Sequence, residues 1–446
     1  MKGTSRVGGL AVAFAATAFL TGAAPAAARD FDPREYGAAG DGVTFDTEAV
    51  QRAIDDCSAA GGGRVTLARG VFLVKPLMLK SGVELHLAAA ARLLGSPDWR
   101  DYPNRGTLRH LESSKLPRGR DSALITADEA RNIAITGRGV IDANGTSFVR
   151  RRDPAAAKGR WEFERIGGFD QSPPRVALFA GCEDVLVRDV TMTNQPAGWS
   201  YWVHDCDRVV FDRVKILADV RFPNNDGIHV NSSRDVSISN CKIETGDDSI
   251  VVRANNRALR ERKVCERVAV ANCQLRSYAN CIRVGWSLDG TIRNCTFSNL
   301  VLHDSRTGIA IVLPPKAVNR AGDYGCESTL VENLVFSGIA MDRMHGEPIR
   351  VQVSDDAKEE LCTAIRNLSF SSITARSSKQ CRFRGGDGVR LEGFAFSNCR
   401  FVRSQSDDVR APWEAVSGSE PKDQPGVHPF VGCRNFTFDG CSFDEE

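Results

Sequence analysis

A short strand pattern that recurs along most of the chain constrains its fold more than any other feature. From about residue 130 onward, a polar residue precedes a stretch in which apolar and polar side chains alternate, as in Asp184-Val185-Leu186-Val187. Such alternation is typical of a short, half-buried β-strand. Further copies begin at residues 132, 208, 235, 267, 291, 333, 367, 393 and 435. From Val185, the equivalent positions of the next four copies follow after 24, 27, 32 and 24 residues.

A β-rich repeat of this length predicts a solenoid, in which each unit buries its apolar side chains against its neighbours. Helical periodicity is almost absent after residue 60, which excludes solenoids built from pairs of helices. Leucine-rich repeats need a denser leucine pattern, and propeller blades need about forty residues each. The sequence therefore predicts an all-β protein that folds as a right-handed parallel β-helix, with coils stacked at about 4.8 Å.

The beginning of the repeat region predicts a short capping helix, which would cover the open end of the solenoid. Asp46 stands where an N-cap is expected, and three glycines at 61–63 end the helix before a strand at 64–67. The apolar face of this helix is formed by Val50, Ala53, Ile54 and Cys57. The segment 145–175 breaks the repeat, and we expect a long surface excursion near the functional site.

The first residues have the pattern of a cleavable signal peptide. Lys2 and Arg6 supply positive charge, an apolar run extends over residues 9–20, and three alanines at 26–28 offer a cleavage site. The apolar run is too short to cross a bilayer as a stable helix. We therefore predict that residues 1–28 are removed during export, into a periplasm or out of the cell. Residues 29–446 are then expected to form a single parallel β-helix domain without membrane association.

The charge balance argues against nucleic acid as a partner. The whole chain has 58 basic and 56 acidic residues, and residues 1–28 contain two of the basic ones and no acidic one. The exported chain would therefore carry 56 charges of each sign and no broad field that gathers polyanions. We expect a monomer that binds no nucleic acid.

Fourteen cysteines in an exported chain would normally suggest disulfides. However, Cys241, Cys273 and Cys295 each follow an asparagine in the repeat, which indicates equivalent buried positions in successive coils. There is no C-x-x-C pair and no cysteine–histidine spacing typical of zinc. We predict interior thiols for most of the cysteines, one or two disulfides toward the C-terminus, and neither a metal nor a cofactor.

Two acidic motifs lie about one coil apart. Asp226 and Asp247 are separated by 21 residues, and Asp248 follows directly. Each motif alone is a common turn sequence. Together they should stack on one face, where like charges raise one another's pKa values, so that one carboxyl stays protonated as an acid while others act as bases. Glycoside hydrolysis requires such a pair of an acid and a base.

These motifs also carry a resemblance to the polygalacturonase family, glycoside hydrolase family 28, over roughly residues 30 to 440. Asn224-Asn225-Asp226-Gly227 is similar to the family's N-T-D-G motif, and Gly246-Asp247-Asp248 to its G-D-D motif. The other segments that carry the resemblance are 36–42, 137–145, 174–175, 182–185 and 199–204. The resemblance implies metal-free, inverting hydrolysis in a cleft along the β-helix, with Asp248 as general acid and Asp226 and Asp247 activating water.

The chain resembles a divergent member of that family, because two signatures differ. Asn280 stands where the family has histidine, and Ala310 and Val312 stand where it has the arginine and lysine that bind the uronate carboxylate of the substrate. We therefore expect altered specificity toward pectin-like polysaccharides. The residues that we expect to bind substrate are Asn224, Arg253, Asn280 and Arg283.

The leading hypothesis is thus an exported glycoside hydrolase. Two alternatives stay open at this point. The first is a β-helix that binds carbohydrate without turnover, because the family's histidine, arginine and lysine are absent. The second is a polysaccharide lyase, which would normally need calcium and a basic residue that abstracts a proton.

Overall fold

The computed structural model describes residues 29–104, 106, 108–116, 121–153, 160–168, 170–173, 175–286, 289–313, 328–353, 362–386, 389, 391–412 and 430–446. The predicted signal peptide, residues 1–28, lies outside this range. No helix of the described residues is long and apolar enough to cross a membrane.

The chain is built almost entirely from short β-strands. The described residues include one α-helix, α1 (Thr47–Ala59), and short 3-10 helices at Pro33–Tyr36, Trp99–Asp101, Ser113–Lys115, Gly145–Phe148 and Asp407–Val409. In chain order the strands are β1 (Asp30–Phe31), β2 (Asp41–Phe45), β3 (Gly63–Leu67), β4 (Gly70–Val74), β5 (Leu77–Leu79), β6 (Val83–Leu87), β7 (Ala91–Gly95), β8 (Ala123–Asp128), β9 (Arg131–Thr136), β10 (Val140–Asp142), β11 (Val149–Arg151), β12 (Phe163–Arg165), β13 (Arg175–Ala180), β14 (Glu183–Arg188), β15 (Thr191–Thr193), β16 (Trp199–His204), β17 (Asp207–Asp212), β18 (Lys215–Leu217), β19 (Ile228–Asn231), β20 (Arg234–Ser239), β21 (Lys242–Thr245), β22 (Ile250–Arg253), β23 (Cys265–Ala271), β24 (Gln274–Ser277), β25 (Asn280–Val284), β26 (Thr291–Ser305), β27 (Thr307–Leu313), β28 (Thr329–Met344), β29 (Ile349–Val353), β30 (Cys362–Ser377), β31 (Arg382–Arg384), β32 (Leu391–Ser397), β33 (Arg400–Arg403), β34 (Phe430–Val431), β35 (Cys433–Arg434), β36 (Thr437–Asp439) and β37 (Ser442–Glu445).

The strands stack in parallel from coil to coil. Among the described residues, 24 strands form one continuous sheet and 11 form a second. We call the second the eleven-stranded sheet, and its members are β5, β8, β13, β16, β19, β22, β25, β27, β29, β31 and β34. A middle coil such as β19–β20–β21 gives one strand to this sheet and two to the larger one. The prediction of a right-handed parallel β-helix is confirmed.

The repeated strand pattern places equivalent side chains on top of one another. Val185 pairs with Val209, Val209 with Val236, and Val236 with Val268 in the larger sheet. All four side chains are buried. A single coil could not bury them, so the apolar positions of the repeat form one continuous interior along the solenoid.

At each copy of the strand pattern, one residue bends the backbone. It adopts the left-handed conformation with φ between 54° and 69° at Asn132, Asp184, Arg208, Asp235, Arg267, Asn294, Asn333, Asn367, Gly393 and Asn435. Asparagine and glycine reach this region at low cost, which explains why they recur at the start of the repeat. The arginines are less suited to it, and their Nε atoms donate to Asp184 and Asp235 of the preceding coils at 2.6 Å.

A ladder of phenylalanines runs through the C-terminal coils, from the buried Phe297 to the exposed Phe438. Phe297, Phe336, Phe370, Phe396 and Phe438 stack with ring centroids 4.7 to 5.1 Å apart. The first three side chains are completely buried. Offset stacking of this kind adds to the stabilisation that burial of the rings provides.

The predicted capping helix is confirmed, with one correction at its start. The predicted apolar face of α1 is completely buried. Asp46 occupies the N-cap position but makes no side-chain cap bond to the helix. Its carboxylate accepts hydrogen bonds from the backbone amides of Ala39 at 2.6 Å and Gly40 at 3.1 Å. Asp46 thus holds the loop before the helix, because those amides need a buried acceptor.

The prediction of disulfides near the C-terminus is wrong for the described cysteines. All thirteen of them are free, and eleven are buried; Cys326 lies outside the described residues. Interior thiols are instead satisfied by backbone carbonyls, as where Cys273 Sγ donates to the Ala271 carbonyl at 3.2 Å. The cysteines therefore act as small apolar residues of the stack.

Candidate active site

The three acidic residues predicted as catalytic lie together at one edge of the eleven-stranded sheet. Asp226 precedes β19, and Asp247 and Asp248 precede β22. Because Ile228 pairs with Ile250 and Ile250 with Ile282, the register stacks Asp226 on Asp248 and Asp248 on Asn280. We expected Asp226 to stack on Asp247, so the register corrects that detail: Asp247 is offset by one residue.

The carboxylates are buried and close to one another. Asp226, Asp247 and Asp248 are 4, 9 and 8 % exposed. One oxygen from each lies within 4.8 Å of one oxygen from the others. At that distance in a desolvated site, three full negative charges repel strongly, which favours retention of a proton.

Hydrogen-bond donors differ among the three carboxyl groups. Asp226 Oδ2 lies 2.9 Å from His229 Nε2, and Asp248 Oδ1 accepts from Asn280 Nδ2 at 2.5 Å. Asp247 Oδ2 accepts a longer bond of 3.1 Å from Asn224 Nδ2. Each of the three carboxyl groups is thus held by a side chain from a different residue.

The surroundings of Asp247 favour the protonated form of its carboxyl group. Its burial raises its pKa well above the ordinary value, and the negative charges of Asp226 and Asp248 raise it further. The charges of Arg160 and Arg283 oppose this effect but do not reverse it. Burial and the neighbouring charges together make Asp247 the candidate proton donor of the site.

The structure brings three of the four predicted substrate-binding residues to the triad. Asn224 and Asn280 donate hydrogen bonds to the carboxylates of the triad. Burial lowers the pKa of Arg283, and the nearby charge of Asp248 opposes this effect. Arg253 differs, because its guanidinium forms two bonds, of 2.6 and 2.7 Å, with the fully buried Asp289. Substrate contact stays a prediction for all four residues.

His229 reaches Asp226 from a stack of aromatic rings. Its imidazole lies 4.6 Å from the ring of Trp199 and 5.4 Å from that of Trp202. The guanidinium of Arg175 lies 4.5 Å from the Trp202 ring, on the same stack. This stack orients the histidine that contacts Asp226.

The excursion at 145–175 contributes contacts that no local sequence pattern indicated. Its described part contains the antiparallel hairpin β11–β12. Trp161 Nε1 donates to the Gly246 carbonyl at 2.7 Å, and Arg165 donates to Asn224 Oδ1 at 2.7 Å. The hairpin is thereby attached to both turns that carry the aspartates. The only sequence signal was the interruption of the repeat.

The carboxylate cluster also has the chemistry of a possible cation site. Oxygen atoms from three carboxylates at this spacing suit a hard divalent cation. Acidic clusters are common without a metal, and the expectation of a metal-free reaction stays a prediction.

Comparison with known proteins decides the family. The sequence model of glycosyl hydrolases family 28 matches residues 57–411. The chain belongs to this family. Residues of the chain are 30 % identical over 247 positions to an exo-poly-alpha-D-galacturonosidase from Dickeya chrysanthemi, covering 48 % of the chain and 40 % of that relative. The match to a probable polygalacturonase from Vitis vinifera covers 55 % of that relative, so the chain spans about half the length of these relatives.

Solved structures of family 28 enzymes share the fold. The exopolygalacturonase of Yersinia enterocolitica superposes with a TM-score of 0.69 at 19 % identity, covering 94 % of this chain and 78 % of that one. The exopolygalacturonase of Thermotoga maritima gives a TM-score of 0.66 at 22 % identity, covering 84 % and 87 %. These similarities show a common right-handed β-helix.

Proposed function

We propose that this family 28 chain is a glycoside hydrolase that cleaves a pectin-type polysaccharide by acid–base catalysis with inversion. The observation that carries the proposal is the triad, in which a carboxyl group of raised pKa lies within 4.8 Å of two carboxylates with their own hydrogen-bond donors. Hydrolysis of a glycosidic bond needs an acid that protonates the glycosidic oxygen and a base that activates the attacking water.

In this mechanism Asp247 is the general acid. It gives its proton to the glycosidic oxygen as the bond from that oxygen to the anomeric carbon breaks. Asp226 and Asp248 bind a water molecule, and its oxygen attacks the anomeric carbon while its proton passes to one of them. This assignment revises the expectation that Asp248 is the acid, because burial and two neighbouring charges favour the protonated form of Asp247.

The stereochemical part of the proposal rests on the family and not on the carboxylate spacing. Inverting enzymes usually keep their two carboxyl groups about 6.5–9.5 Å apart, and retaining enzymes about 5–5.5 Å. The nearest oxygens here lie within 4.8 Å, but three groups share the site. Proton NMR of the first product, recorded before mutarotation, tests inversion; a product with the anomeric configuration of the substrate would refute it.

Release of reducing ends tests the activity itself. We expect purified protein to act on galacturonan, rhamnogalacturonan or their oligomers, and Asp247→Asn, Asp226→Asn and Asp248→Asn each to lose most of that activity. Asp212→Asn is the matched control, because Asp212 belongs to β17 of the larger sheet and is paired with Arg213. No release from any pectic substrate, with intact glycan binding, would favour the non-catalytic alternative. Unsaturated products that absorb in the ultraviolet would indicate a lyase.

We also propose that the chain is exported after removal of residues 1–28 and acts as a monomer. The charged and apolar pattern of that segment supports export. Intact-mass analysis of the protein recovered outside the cytoplasm should give a chain that starts at Arg29. Light scattering should give the mass of one chain.

A further inference from the structure

The outer face of the eleven-stranded sheet is covered on one side of the triad. Tyr201 and Val203 of β16 belong to the apolar interior, so Trp202 between them faces outward. Leu178 of β13 pairs with Trp202 in the register and therefore faces outward as well. Both side chains are at most 2 % exposed. Another part of the chain must therefore cover β13 and β16, and β16 is the strand next to β19.

A segment that precedes β8 provides this cover. We call residues 108–116 the strap. It packs on Leu178 and Trp202 through three leucines, which are Leu108, Leu111 and Leu116. These leucines are 2 to 8 % exposed. A leucine surface packed in this way excludes water, and a polar sugar ring cannot pass between the strap and the sheet.

Polar contacts fasten the strap beyond the far ends of the strands. His110 Nε2 lies 2.6 Å from Asp205 Oδ2, and Asp205 follows β16. The backbone amide of Glu112 donates to the carbonyl of Ala258 at 2.9 Å, and Ala258 follows β22. The strap is thus attached to the coils that carry the triad and its neighbour, so its closed position belongs to the folded protein.

The excursion at 145–175 covers the adjoining edge of the sheet. The ring of Phe163, in the hairpin β11–β12, lies 4.8 Å from that of Phe222, and Val149 and Ala197 complete the same apolar cluster. Arg165 Nε also donates to the carbonyl of Ala197 at 2.8 Å. Because Ala197 lies in the turn before β16, a sugar chain that followed this edge from the triad toward β13 would meet the hairpin.

On the other side of the triad, the same face of the sheet is accessible. The outward side chains of β29 and β31 are all partly exposed, and they are Arg350, Gln352, Arg382 and Arg384. The triad lies at β19 and β22, between the covered strands and these exposed ones. The cleft therefore extends from the triad in one direction and is closed in the other.

We propose that the chain acts on the ends of polysaccharide chains, because the strap and the hairpin β11–β12 close the cleft beside the triad. This inference deepens the proposed function and rests on it: the substrate must offer a free chain end. An internal segment of a polymer would have to continue across β16, where the leucines of the strap occupy the outer face. The released product should be about one or two sugars long, since β16 is one coil, about 4.8 Å, from β19.

The products formed from long galacturonan and rhamnogalacturonan test this inference. We expect one short product from the first time point, while size-exclusion chromatography shows that the remaining polymer keeps nearly its original length. Early appearance of oligomers of intermediate length would overturn the inference and leave the hydrolase proposal intact.

Opening the strap should change which bonds are cleaved. A triple variant, Leu108→Ala, Leu111→Ala and Leu116→Ala, removes the apolar contacts that hold the strap on the sheet. We expect the yield of oligomers of intermediate length to rise at least about 10-fold, because lost burial favours an open strap. Leu334→Ala is the matched control: Leu334 is completely buried in β28 of the larger sheet, so its loss should lower the melting temperature without changing the products. An unchanged product pattern in a folded triple variant would contradict the inference.

Binding measured without turnover does not depend on the folding of the strap variant. Calorimetry of long galacturonan and rhamnogalacturonan with the inactive Asp247→Asn protein should give one bound protein per polymer chain, because each chain has one end of a given kind. Several bound proteins per chain would overturn the inference. Binding of one unaltered protein per chain without release of sugar would refute the hydrolase proposal alone. Absence of both binding and cleavage on the two polymers would refute both proposals.

Discussion

Replacing Asp247 by asparagine should inactivate the protein and stabilise it at the same time. Asparagine has nearly the same shape and can still accept the hydrogen bond from Asn224, but it cannot donate a proton as an acid. Loss of a general acid lowers the rate by about 10²- to 10⁴-fold, which is about 2.7 to 5.5 kcal/mol in activation free energy. On an aryl glycoside whose leaving group needs no proton, the loss should be much smaller for Asp247→Asn than for Asp226→Asn.

The stability effect follows from the raised pKa of Asp247. A carboxyl group whose pKa is higher in the folded than in the unfolded protein favours folding below the unfolded value, and this contribution is lost as the pH rises through the folded value. Each unit of difference is about 1.4 kcal/mol. The asparagine variant does not titrate, so its melting temperature should exceed that of the unaltered protein by a growing margin as the pH rises above about 4.

Thermal melts across that pH range, with Asp212→Asn as control, measure this difference. A melting-temperature difference that does not change with pH, or a variant that is less stable at pH 8, would refute the account of the triad. So would equal rate losses of Asp247→Asn on the activated aryl glycoside and on the polysaccharide.

Three further predictions test contacts around the site and in the core. His229→Phe keeps a stacked ring but removes the bond to Asp226, so kcat should fall about 10-fold and the acidic limb of the pH–rate profile should move to higher pH, whereas His229→Gln should retain most activity. Trp161→Phe removes the 2.7 Å bond to Gly246, and we expect about 5-fold lower kcat/KM with faster amide exchange in the hairpin β11–β12. Phe336→Ala should lower the free energy of unfolding by about 3–5 kcal/mol and leave the activity at 25 °C unchanged. A melting temperature equal to that of the unaltered protein would refute a stabilising role of the phenylalanine ladder.

The fold was predictable because the same short strand pattern recurs along the sequence. One copy of the strand pattern is weak evidence for any fold. Ten copies at similar spacing leave few alternatives to a parallel β-helix. The position of Asp226 one coil before Asp247 and Asp248 could be predicted for the same reason. The exact stack could not, because the turns differ in length and only the register decides which aspartate faces which.

The partners of the site residues were less predictable. Arg253 and Arg283 look alike in the sequence, yet Asp289 lies 36 residues from one and neutralises it, while the other has only carbonyl acceptors. The contact from Trp161 to the turn before Asp247 joins residues 85 positions apart. Such pairings depend on how the coils superpose, and the raised pKa of Asp247 depends on its desolvation. The spacing of residues along the sequence determines neither of these.

The free cysteines of the core have a consequence for how long the protein survives in an oxidising medium. While the coils stay closed, burial keeps these thiols protonated and out of reach, as at Cys265, where burial raises the pKa of the thiol. Opening of the stack releases many thiols together, and any oxidant can then join sulfur atoms that do not belong side by side. Each wrong bond holds two coils out of register. The working lifetime is therefore set by how rarely the stack opens, and recovery after heating should require a reducing agent.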